Sequence, residues 1–364
     1  MCFSTLDVRV LKKCQNMTVQ PLSERQKLIL GLIVQDFVES TQPVGSKRLM
    51  DQYALDFSSA TIRNEMAELT EAGYLRQPHT SAGRVPTEEG FRFFVGELMA
   101  RQELPASLRH TISHQFYQAR HETQQWMKLA ASVLANQSRA ASLITAPQTQ
   151  SARFKHLELI LTTGRQVLMV LVLENGLVRQ QMLALKDAMD QERLSSTADK
   201  LNQHLRGVTL DTMQAPAPAM GELAGEIFKL VQAELQNTQS PLTGEVLQDG
   251  LTNVLAQPEF SDADAAQRAL RVFEERPMLA DLLAQTLMNS EIGGVQVLIG
   301  GEGRWEELND FSLVLARYGT PNAASGYLGV LGPIRMAYGR AVSTVDYVAG
   351  LLSGMMAETM NTQD

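Results

Sequence analysis

Hydrophobic residues recur at helical spacing near the start of the chain and predict three short helices. The predicted helices are residues 22–39, where Ser23 is the N-cap, residues 46–53, and a segment that begins after Ser58 or Ser59 and ends at Gly73. The positions predicted to face a core are Leu28, Ile29, Leu32, Ile33 and Phe37 in the first helix and Ile62, Met66 and Leu69 in the third.

A short hairpin and a fourth helix follow these three helices. Tyr74-Leu75 and Val85-Pro86 are predicted to be its two strands, and the polar tip between them contains Gly83. Thr87 then caps a helix whose apolar positions are Phe91, Phe94, Val95 and Leu98. Three helices and a β-hairpin within about 75 residues are the elements of a winged helix-turn-helix, and we expect residues 20–100 to form one.

The pattern after residue 105 predicts a second, α+β domain. A long helical pattern covers residues 105–143, and three strand-like runs in residues 156–184 predict an antiparallel meander, punctuated by Thr163-Gly164 and Asn175-Gly176. Helical spacing returns before strands at 295–300, 311–318 and 326–331 and a last helix with Ala341, Val345, Val348 and Leu352. We expect residues 101–189 and 290–364 to form one discontinuous domain, with a helical block at 190–289 inserted between its third and fourth strands.

Composition excludes some classes of protein. A length of 364 residues suits two or three domains, and a net charge of −8 with a pI near 5.4 excludes a generally basic protein but not a local basic face. No run of 18 apolar residues occurs, so we predict no membrane partner. Residues 1–19 lack the apolar core of a signal peptide and are expected to be a disordered extension, in which Met17 offers an alternative start. Both cysteines, Cys2 and Cys14, lie there. The rest of the chain therefore has no disulfide framework, which fits a reducing cytoplasm.

Outward-facing side chains at the start of the third helix have the chemistry of a DNA-reading surface. A recognition helix presents its N-terminal side chains to the major groove, where Arg binds guanine bidentately and Asn binds adenine. The candidates on this helix are Ser59, Thr61, Arg63 and Asn64. The candidates for phosphate and groove contacts are Lys47 and Arg48 on the preceding helix and Arg76, His79, Thr80, Ser81 and Arg84 in the hairpin, whose tip contains no Asp or Glu.

The total charge of this region opposes simple electrostatic attraction to DNA. Residues 21–101 hold nine Lys or Arg and eleven Asp or Glu, a net of 9 − 11 = −2. Binding must therefore depend on segregated charge and on contacts with bases.

Other motifs give weaker indications of chemistry. Gly300-Gly301-Glu302-Gly303 fits neither G-x-G-x-x-G nor the P-loop, so a plain turn is the better interpretation. His110 and His114 have the spacing of metal ligands on a helix, with His121 beyond them, but solvated histidines are the commoner outcome. Because no nucleophile, paired carboxylates or cofactor motif stands out, we predict no metal, no cofactor and no enzymatic activity.

The strongest family resemblance lies in residues 58–95, which read SSATIRNEMAELTEAGYLRQPHTSAGRVPTEEGFRFFV. This stretch resembles the signature of the bacterial heat-inducible transcription repressor family HrcA. Two further stretches agree, GLTNVLAQPEF at 250–260 and LGVLGPIRMAYGRAVSTVDYVAGLLS at 328–353. The resemblance covers roughly residues 20–355 and implies a winged-helix domain, a GAF-like domain and a dimerising domain inserted into the GAF-like one.

The resemblance also implies partners. HrcA-like proteins repress class I heat-shock operons, those of the DnaK and GroE chaperones, by binding an inverted repeat called CIRCE, and the GroEL chaperonin keeps them competent to bind. The expected partners are therefore double-stranded operator DNA, a second copy of the chain and GroEL, in the cytoplasm at the nucleoid. Residues 222–236 are expected at the two-fold interface. The apolar run 167–173 is expected to be a central strand that heating exposes.

Two other functions stay open at this point. A GAF-like pocket would suit a ligand-sensing winged-helix regulator, although a pocket filled by Leu, Val and Met would favour the ligand-free repressor. A structural protein whose hairpin docks another protein is the weaker alternative. If the chain binds DNA, we expect Arg63→Ala to relax base preference and Arg84→Ala to weaken binding to all sequences.

Overall fold

The chain folds into two compact units. The main unit comprises residues 1–147, 245–321 and 325–364, and the inserted unit comprises residues 148–244 with 322–324. The computed structural model describes residues 8–10, 21–79, 82–100, 102–119, 123–149, 153–174, 176–214, 221–239, 246–287, 291–300, 305–321 and 324–361. No helix in these ranges has the length and apolar character needed to cross a membrane.

Residues 21–100 form a helical module at the start of the main unit. The module follows a short strand, β1 (Val8–Val10). Its elements are α1 (Glu24–Ser40), α2 (Ser46–Tyr53), α3 (Ser59–Glu71), β2 (Leu75–Arg76), β3 (Val85–Pro86) and α4 (Glu88–Phe93), which continues as a π-helical turn over Phe94–Leu98. The predicted positions of the four helices and of the hairpin are thus confirmed.

Caps fix the ends of these helices as predicted. Ser23, Ser58 and Thr87 each accept a hydrogen bond from the backbone N–H three residues further on. Gly73 has a φ of +84°, and the N–H of the next residue donates to the carbonyl oxygen of Leu69 at 2.9 Å. This closes a Schellman motif, which turns the chain sharply from α3 into the hairpin.

The core of the module differs from the prediction on one helix. On α3 the predicted residues Ile62, Met66 and Leu69 are buried. On α1 the buried apolar residues are Ile29, Leu30, Ile33 and Val34, whereas Leu28 is 46% exposed. The prediction for Leu28 is wrong because the helix buries the adjacent stripe, one position further along the sequence.

Two helices and a strand follow the module. They are α5 (Ala106–Gln118), α6 (Thr123–Ser138) and β4 (Ala141–Thr145). The predicted helical pattern at 105–143 therefore covers two helices and the start of a fully buried strand. His110 and His114 lie exposed on α5, and no cluster of potential metal ligands occurs in the described part of the chain.

The inserted unit contains the predicted meander. Its elements are β5 (Gln148–Thr149), β6 (Phe154–Thr163), β7 (Gln166–Leu173), β8 (Val178–Ala184), α7 (Gln191–Leu205) and α8 (Glu222–Gln239). Strands β6, β7 and β8 pair antiparallel as a separate three-stranded sheet. The inner face of this sheet packs with α7 and α8 in a hydrophobic core of its own.

These contacts change the predicted division of the chain. The meander was expected to share a sheet with the later strands, and the insertion was expected to be a helical block at 190–289. Instead the meander lies inside the inserted unit, and residues 246–287 belong to the main unit. The physical reason is that α7 and α8 bury the inner face of the meander, which therefore needs no other sheet.

The opposite face of the three-stranded sheet, which we call the outer face, carries an apolar patch beside polar side chains. The apolar residues are Ile160, Leu168, Val170, Val172, Val178 and Met182, and the polar ones are His156, Glu158 and Gln180. Leu168 on the central strand is paired with Ile160 on one side and with Met182 on the other. Six large hydrophobic side chains are exposed in the described part of the chain, and three of them, Ile160, Val178 and Met182, lie on this face.

The remaining elements complete a sheet in the main unit. They are β9 (Val246–Asp249), α9 (Leu251–Leu255), α10 (Ala263–Glu274), α11 (Arg276–Leu287), β10 (Val295–Ile299), β11 (Phe311–Gly319), β12 (Ala324–Pro333) and α12 (Tyr338–Asn361). The strand order is β1-β10-β11-β12-β4-β9. Helices α6 and α12 pack on this sheet, and the buried residues Ala341, Val345, Val348 and Leu352 confirm the predicted face of α12.

Three of these six strands were not predicted. Strands β4 and β9 lie within stretches that were interpreted as helical, and they pair with each other antiparallel. The third is β1, which pairs in parallel with β10 and lies in the segment predicted to be disordered. Its sequence, Val-Arg-Val, has the β-branched residues of a strand, and the pairing covers the free edge of β10.

Candidate nucleic-acid interface

Helix α3 presents its polar candidates at its N-terminal end. Ile62 and Met66 are buried, so Arg63 and Asn64 between them face outward, and both are exposed. Ser59 and Thr61 are half-buried. The hydroxyl of Thr61 lies 2.9 Å from that of the N-cap Ser58. The Thr61 side chain therefore takes part in capping the helix.

Two of the three acidic residues of α3 are turned toward α1, whereas Glu71 at its C-terminal end is exposed. Glu65 forms an ion pair with Arg25 at 3.1 Å, and Glu68 accepts a hydrogen bond from Gln26 at 2.8 Å. These contacts hold the two helices together. They also place two carboxylates on the side of α3 that packs with α1, while Arg63 stays free of an ion pair among the described residues.

The hairpin is fastened to the segment before α2. Val44 and Arg84 exchange two backbone hydrogen bonds of 2.8 and 2.9 Å. A Cβ atom on Gly83 would overlap the carbonyl oxygen of Val44. Small residues at a hairpin tip can allow a close approach to a DNA groove, but the contact of Gly83 in the structure is with the protein backbone. The close approach inside the module is therefore the reason for a glycine here.

We expect Gly83→Ala to lower the free energy of unfolding of the main unit by about 1–3 kcal/mol, because the backbone must shift to remove the overlap. The measurement is urea denaturation of the full chain. Gly45→Ala is the matched control, since a Cβ atom at Gly45 meets nothing within 4 Å. Equal midpoints for the two variants would mean that the hairpin adapts at Gly83 without cost.

Three basic candidates of the hairpin have different surroundings. Arg76 and His79 are exposed. Arg84 is half-buried, and its Nε donates a hydrogen bond of 3.0 Å to the hydroxyl of Thr70 on α3. Arg84 thus ties the hairpin to α3. Thr80 and Ser81 lie outside the described residues.

The two candidates on α2 also differ in their surroundings. Lys47 is exposed and has no ion pair with a described carboxylate. Arg48 instead donates to Asp36 at 2.8 Å, and the Asp36 side chain is only 1% exposed. The second carboxylate oxygen of Asp36 has no hydrogen-bond partner among the described residues. Arg48 is therefore the main compensation for a buried charge, a role that its position in the sequence did not reveal.

We expect Arg48→Met to destabilise the main unit by about 1–3 kcal/mol, because it leaves Asp36 buried without a partner; the partial exposure of Arg48 keeps the loss below that of a fully buried pair. Thermal melting checks this. Adding Asp36→Leu to Arg48→Met should restore most of the loss, since the uncompensated charge is then removed. Lys27→Met, which breaks the exposed pair with Glu24, is the control and should change little.

Charge in the module is segregated. Eight Lys or Arg residues occur in the described part of residues 21–100. Four of them, Arg25, Lys27, Arg48 and Arg92, form ion pairs. The other four, Lys47, Arg63, Arg76 and Arg84, have no carboxylate within ion-pair distance among the described residues. They lie at the start of α2, at the start of α3 and on the hairpin, which are the positions predicted for DNA contacts.

The two other motif stretches have structural roles. Arg335 forms an ion pair with Glu259 and donates a second hydrogen bond to Gln257 at 2.8 Å, so residues 250–260 are fastened to residues 328–353. The rings of Phe260 and Phe311 stack at 4.9 Å. Gly300 ends β10 in a turn, as expected, and the three residues after it lie outside the described ones.

A small cavity lies between the main sheet and helices α10 and α11. Its lining is mostly apolar and includes Leu143, Gln248, Phe273, Leu279 and Leu313. The space holds about one water molecule. It is far smaller than a pocket for an organic ligand.

Comparison with known proteins agrees with the quoted motifs. The family model described as HrcA protein C terminal domain matches residues 124–342. The heat-inducible transcription repressor HrcA of Roseiflexus castenholzii is 44% identical over 93% of this chain and 95% of that protein. The protein of the same name from Chloroflexus aggregans is 40% identical over 94% of this chain and 95% of its own length.

A solved structure supports the fold. The crystal structure of a hypothetical protein at 2.2 Å resolution covers 93% of this chain and 100% of that chain, with a TM-score of 0.58 and 24% identity. The relatives that carry a functional name are transcription repressors and not enzymes. The chain therefore belongs to the HrcA family of heat-inducible transcription repressors.

Proposed function

We propose that this repressor binds double-stranded operator DNA through the helical module, acting as a winged helix-turn-helix. Helix α3 would enter the major groove, and the β2–β3 hairpin would be the wing beside it. The observation that carries this proposal is the segregation of charge. The unpaired basic side chains occupy α2, α3 and the hairpin, whereas Glu65 and Glu68 are held against α1. A module with a net negative charge can thus still offer phosphate a locally basic surface.

The exposed candidates divide into two roles. Arg63 and Asn64 would read base edges, because a guanidinium and a carboxamide each match a base with paired hydrogen bonds. Lys47, Arg76 and His79 would contact phosphates and fix the register of the module on the duplex. Thr80 and Ser81 at the wing tip, and Ser59 and Thr61 at the start of α3, would add hydroxyl contacts. Arg48 and Arg84 would act mainly by holding α2 and the hairpin in place.

We also propose that two copies of the chain pair through the outer face. An operator that is an inverted repeat requires a two-fold symmetric protein, because each half-site receives one recognition helix. The expected contact at residues 222–236 has little apolar surface left to offer, since Ala224, Ile227, Val231 and Leu235 are buried in the core of the inserted unit. The outer face, by contrast, exposes Ile160, Val178 and Met182 and can pair with its own copy.

The regulated genes and the response to heat complete the proposal. We infer that the operator is the CIRCE inverted repeat of the DnaK and GroE chaperone operons and that the main sheet with α6 and α12 is the GAF-like domain. A chain without its partner exposes the apolar patch of the outer face, a suitable surface for a chaperonin such as GroEL. When heat occupies the chaperonin with other clients, repressor that the chaperonin no longer assists would lose its DNA-binding activity. The operons would then be expressed.

The ligand-sensing alternative receives no support from the cavity under the main sheet. That cavity has room for about one water molecule and is lined mainly by Leu, Val and Phe. This is the filled pocket that favours a repressor without a small-molecule ligand.

Footprinting and gel-shift assays on the host's chaperone promoters test the proposed function, with and without purified chaperonin. We expect protection of an inverted repeat and a larger active fraction when chaperonin is present. A protein that is folded and soluble but binds random duplex as tightly as these promoters would overturn the proposal. Thermal melting tests the response to heat, because a chain that melts and aggregates only far above the host's heat-shock range would not be the thermally labile component.

A further inference from the structure

The helical module is joined to the main sheet through a buried arginine on α4. The Arg92 side chain is 9% exposed, and its guanidinium contacts Glu88 at 2.9 Å and Glu89 at 3.3 Å. The same side chain donates a hydrogen bond of 2.7 Å to the carbonyl oxygen of Ile299, the last residue of β10. One arginine therefore binds two carboxylates of the module and the backbone of the sheet.

Close packing surrounds this arginine. The Cα atom of Gly300 lies so near Glu88 that an added Cβ would be 2.8 Å from the carboxylate, and Gly300 has a φ of +67°. The ring of Phe91 on α4 lies 6.0 Å from the ring of Tyr338, whose hydroxyl is 2.7 Å from that of Ser312 on β11. We call Glu88, Phe91, Arg92, Ile299, Gly300 and Tyr338 the joint.

The joint makes the module and the sheet a continuous body. Residues of α1, α3 and α4 belong to the same hydrophobic cluster as residues of β10, β12 and α12. A buried guanidinium that loses its partners is costly, so rotation of α4 away from β10 is opposed by more than apolar packing. The geometry of Arg is well suited to this role, because its planar fork can serve several acceptors at once.

We propose that Arg92 is a positioning residue that determines which half-site spacing the repressor accepts. This inference rests on the proposed function, in which two modules bind one inverted repeat. A module on a flexible tether can reach half-sites at many separations, whereas a fixed module reaches only the separation set by the protein. By holding α4 on the end of β10, Arg92 restricts the orientation of α3 relative to the rest of the main unit.

The experiment compares duplexes that differ only in half-site spacing. The probes are the inverted repeat found by footprinting, the same repeat with 2 or 5 base pairs inserted at its centre, and a single half-site. An insertion of 5 base pairs rotates one half-site by about half a helical turn. We expect the wild-type chain to bind the 5-base-pair insertion at least ~100-fold more weakly than the original repeat. For Arg92→Gln we expect a loss below ~10-fold, with unchanged affinity for the half-site.

Two further variants make the result decisive. Gly300→Ala perturbs the joint from the sheet side, because the added Cβ meets the carboxylate of Glu88, and it should relax the spacing preference in the same direction. Lys27→Gln breaks an exposed ion pair elsewhere in the module and should keep the wild-type preference. If Arg92→Gln does not fold, as judged by circular dichroism, Gly300→Ala decides the question.

The outcomes separate the inference from the proposed function. A spacing preference equal to that of the wild type in the folded variants would overturn the role of Arg92. Reduced affinity for the half-site and the full repeat alike, at constant spacing preference, would also overturn it, because that result describes a purely structural residue. If the wild type binds an inverted repeat no better than random duplex, the proposed function itself fails.

Discussion

Replacing Met182 by glutamate is expected to convert the repressor into a monomer and to lower its affinity for an inverted-repeat operator by about 10²–10⁴-fold. Met182 is 53% exposed in the single chain, so the substitution should leave the inserted unit folded. In a paired outer face the new carboxylate would be buried against apolar side chains, which is strongly unfavourable without a partner charge. A monomer contacts only one half-site. It therefore lacks the gain in affinity that a dimer obtains by binding two linked half-sites.

Analytical ultracentrifugation and binding to the inverted repeat check this expectation together. Gln181→Glu is the matched control, because it adds the same charge at the next position of β8, an exposed position on the opposite side of the strand. We expect the control to remain dimeric and to bind the operator like the wild type. A Met182→Glu chain that stays dimeric at the same concentration would show that the outer face is not the contact between copies.

The second large effect is expected from Arg63→Ala. Removal of this exposed guanidinium should weaken operator binding by about 1–3 kcal/mol and relax preference at one base pair in each half-site. Stability should not change, because Arg63 makes no ion pair with a described residue. Affinity is measured on the operator and on variants with single base-pair changes in the half-site.

Arg76→Ala is the comparison for a phosphate contact. It should weaken binding to all sequences about equally and reduce the slope of log affinity against log salt by about one. Arg76 suits this purpose better than Arg84, whose hydrogen bond to Thr70 links its loss to movement of the hairpin. If Arg63→Ala behaves like Arg76→Ala on the panel of base changes, Arg63 contacts phosphate and does not read bases.

Local features of this protein were predictable from the sequence because short-range chemistry determines them. The caps at Ser23, Ser58 and Thr87 and the left-handed Gly73 each depend on a few neighbouring residues. Helix α2 at residues 46–53 and the strands of the hairpin were predictable for the same reason. So were the basic residues without an ion pair on the elements proposed to contact DNA.

Features that depend on distant residues were not predictable in this way. Strand β7 is equally apolar whichever sheet contains it, so its spacing alone does not reveal that α7 and α8 cover one of its faces. The buried Asp36 forms an ion pair with Arg48 of a different helix, and the backbone of Val44 lies too close to Gly83 for a Cβ atom. In each case the decisive partner lies outside the local pattern that the prediction used.

The pairing of β4 with β9 has a consequence for the engineering of this chain. Thr145 and Val246 are direct partners in the sheet. In topological terms the two strands are a hairpin whose turn has been replaced by a folded unit, which leaves and re-enters the sheet at adjacent points. A loop of about 100 residues costs only a few kcal/mol more to close than a tight turn. Excising residues 148–244 and bridging the gap with Asn-Gly should therefore leave the six-strand path β1-β10-β11-β12-β4-β9 able to form, which would offer a minimal version of the repressor without the outer face.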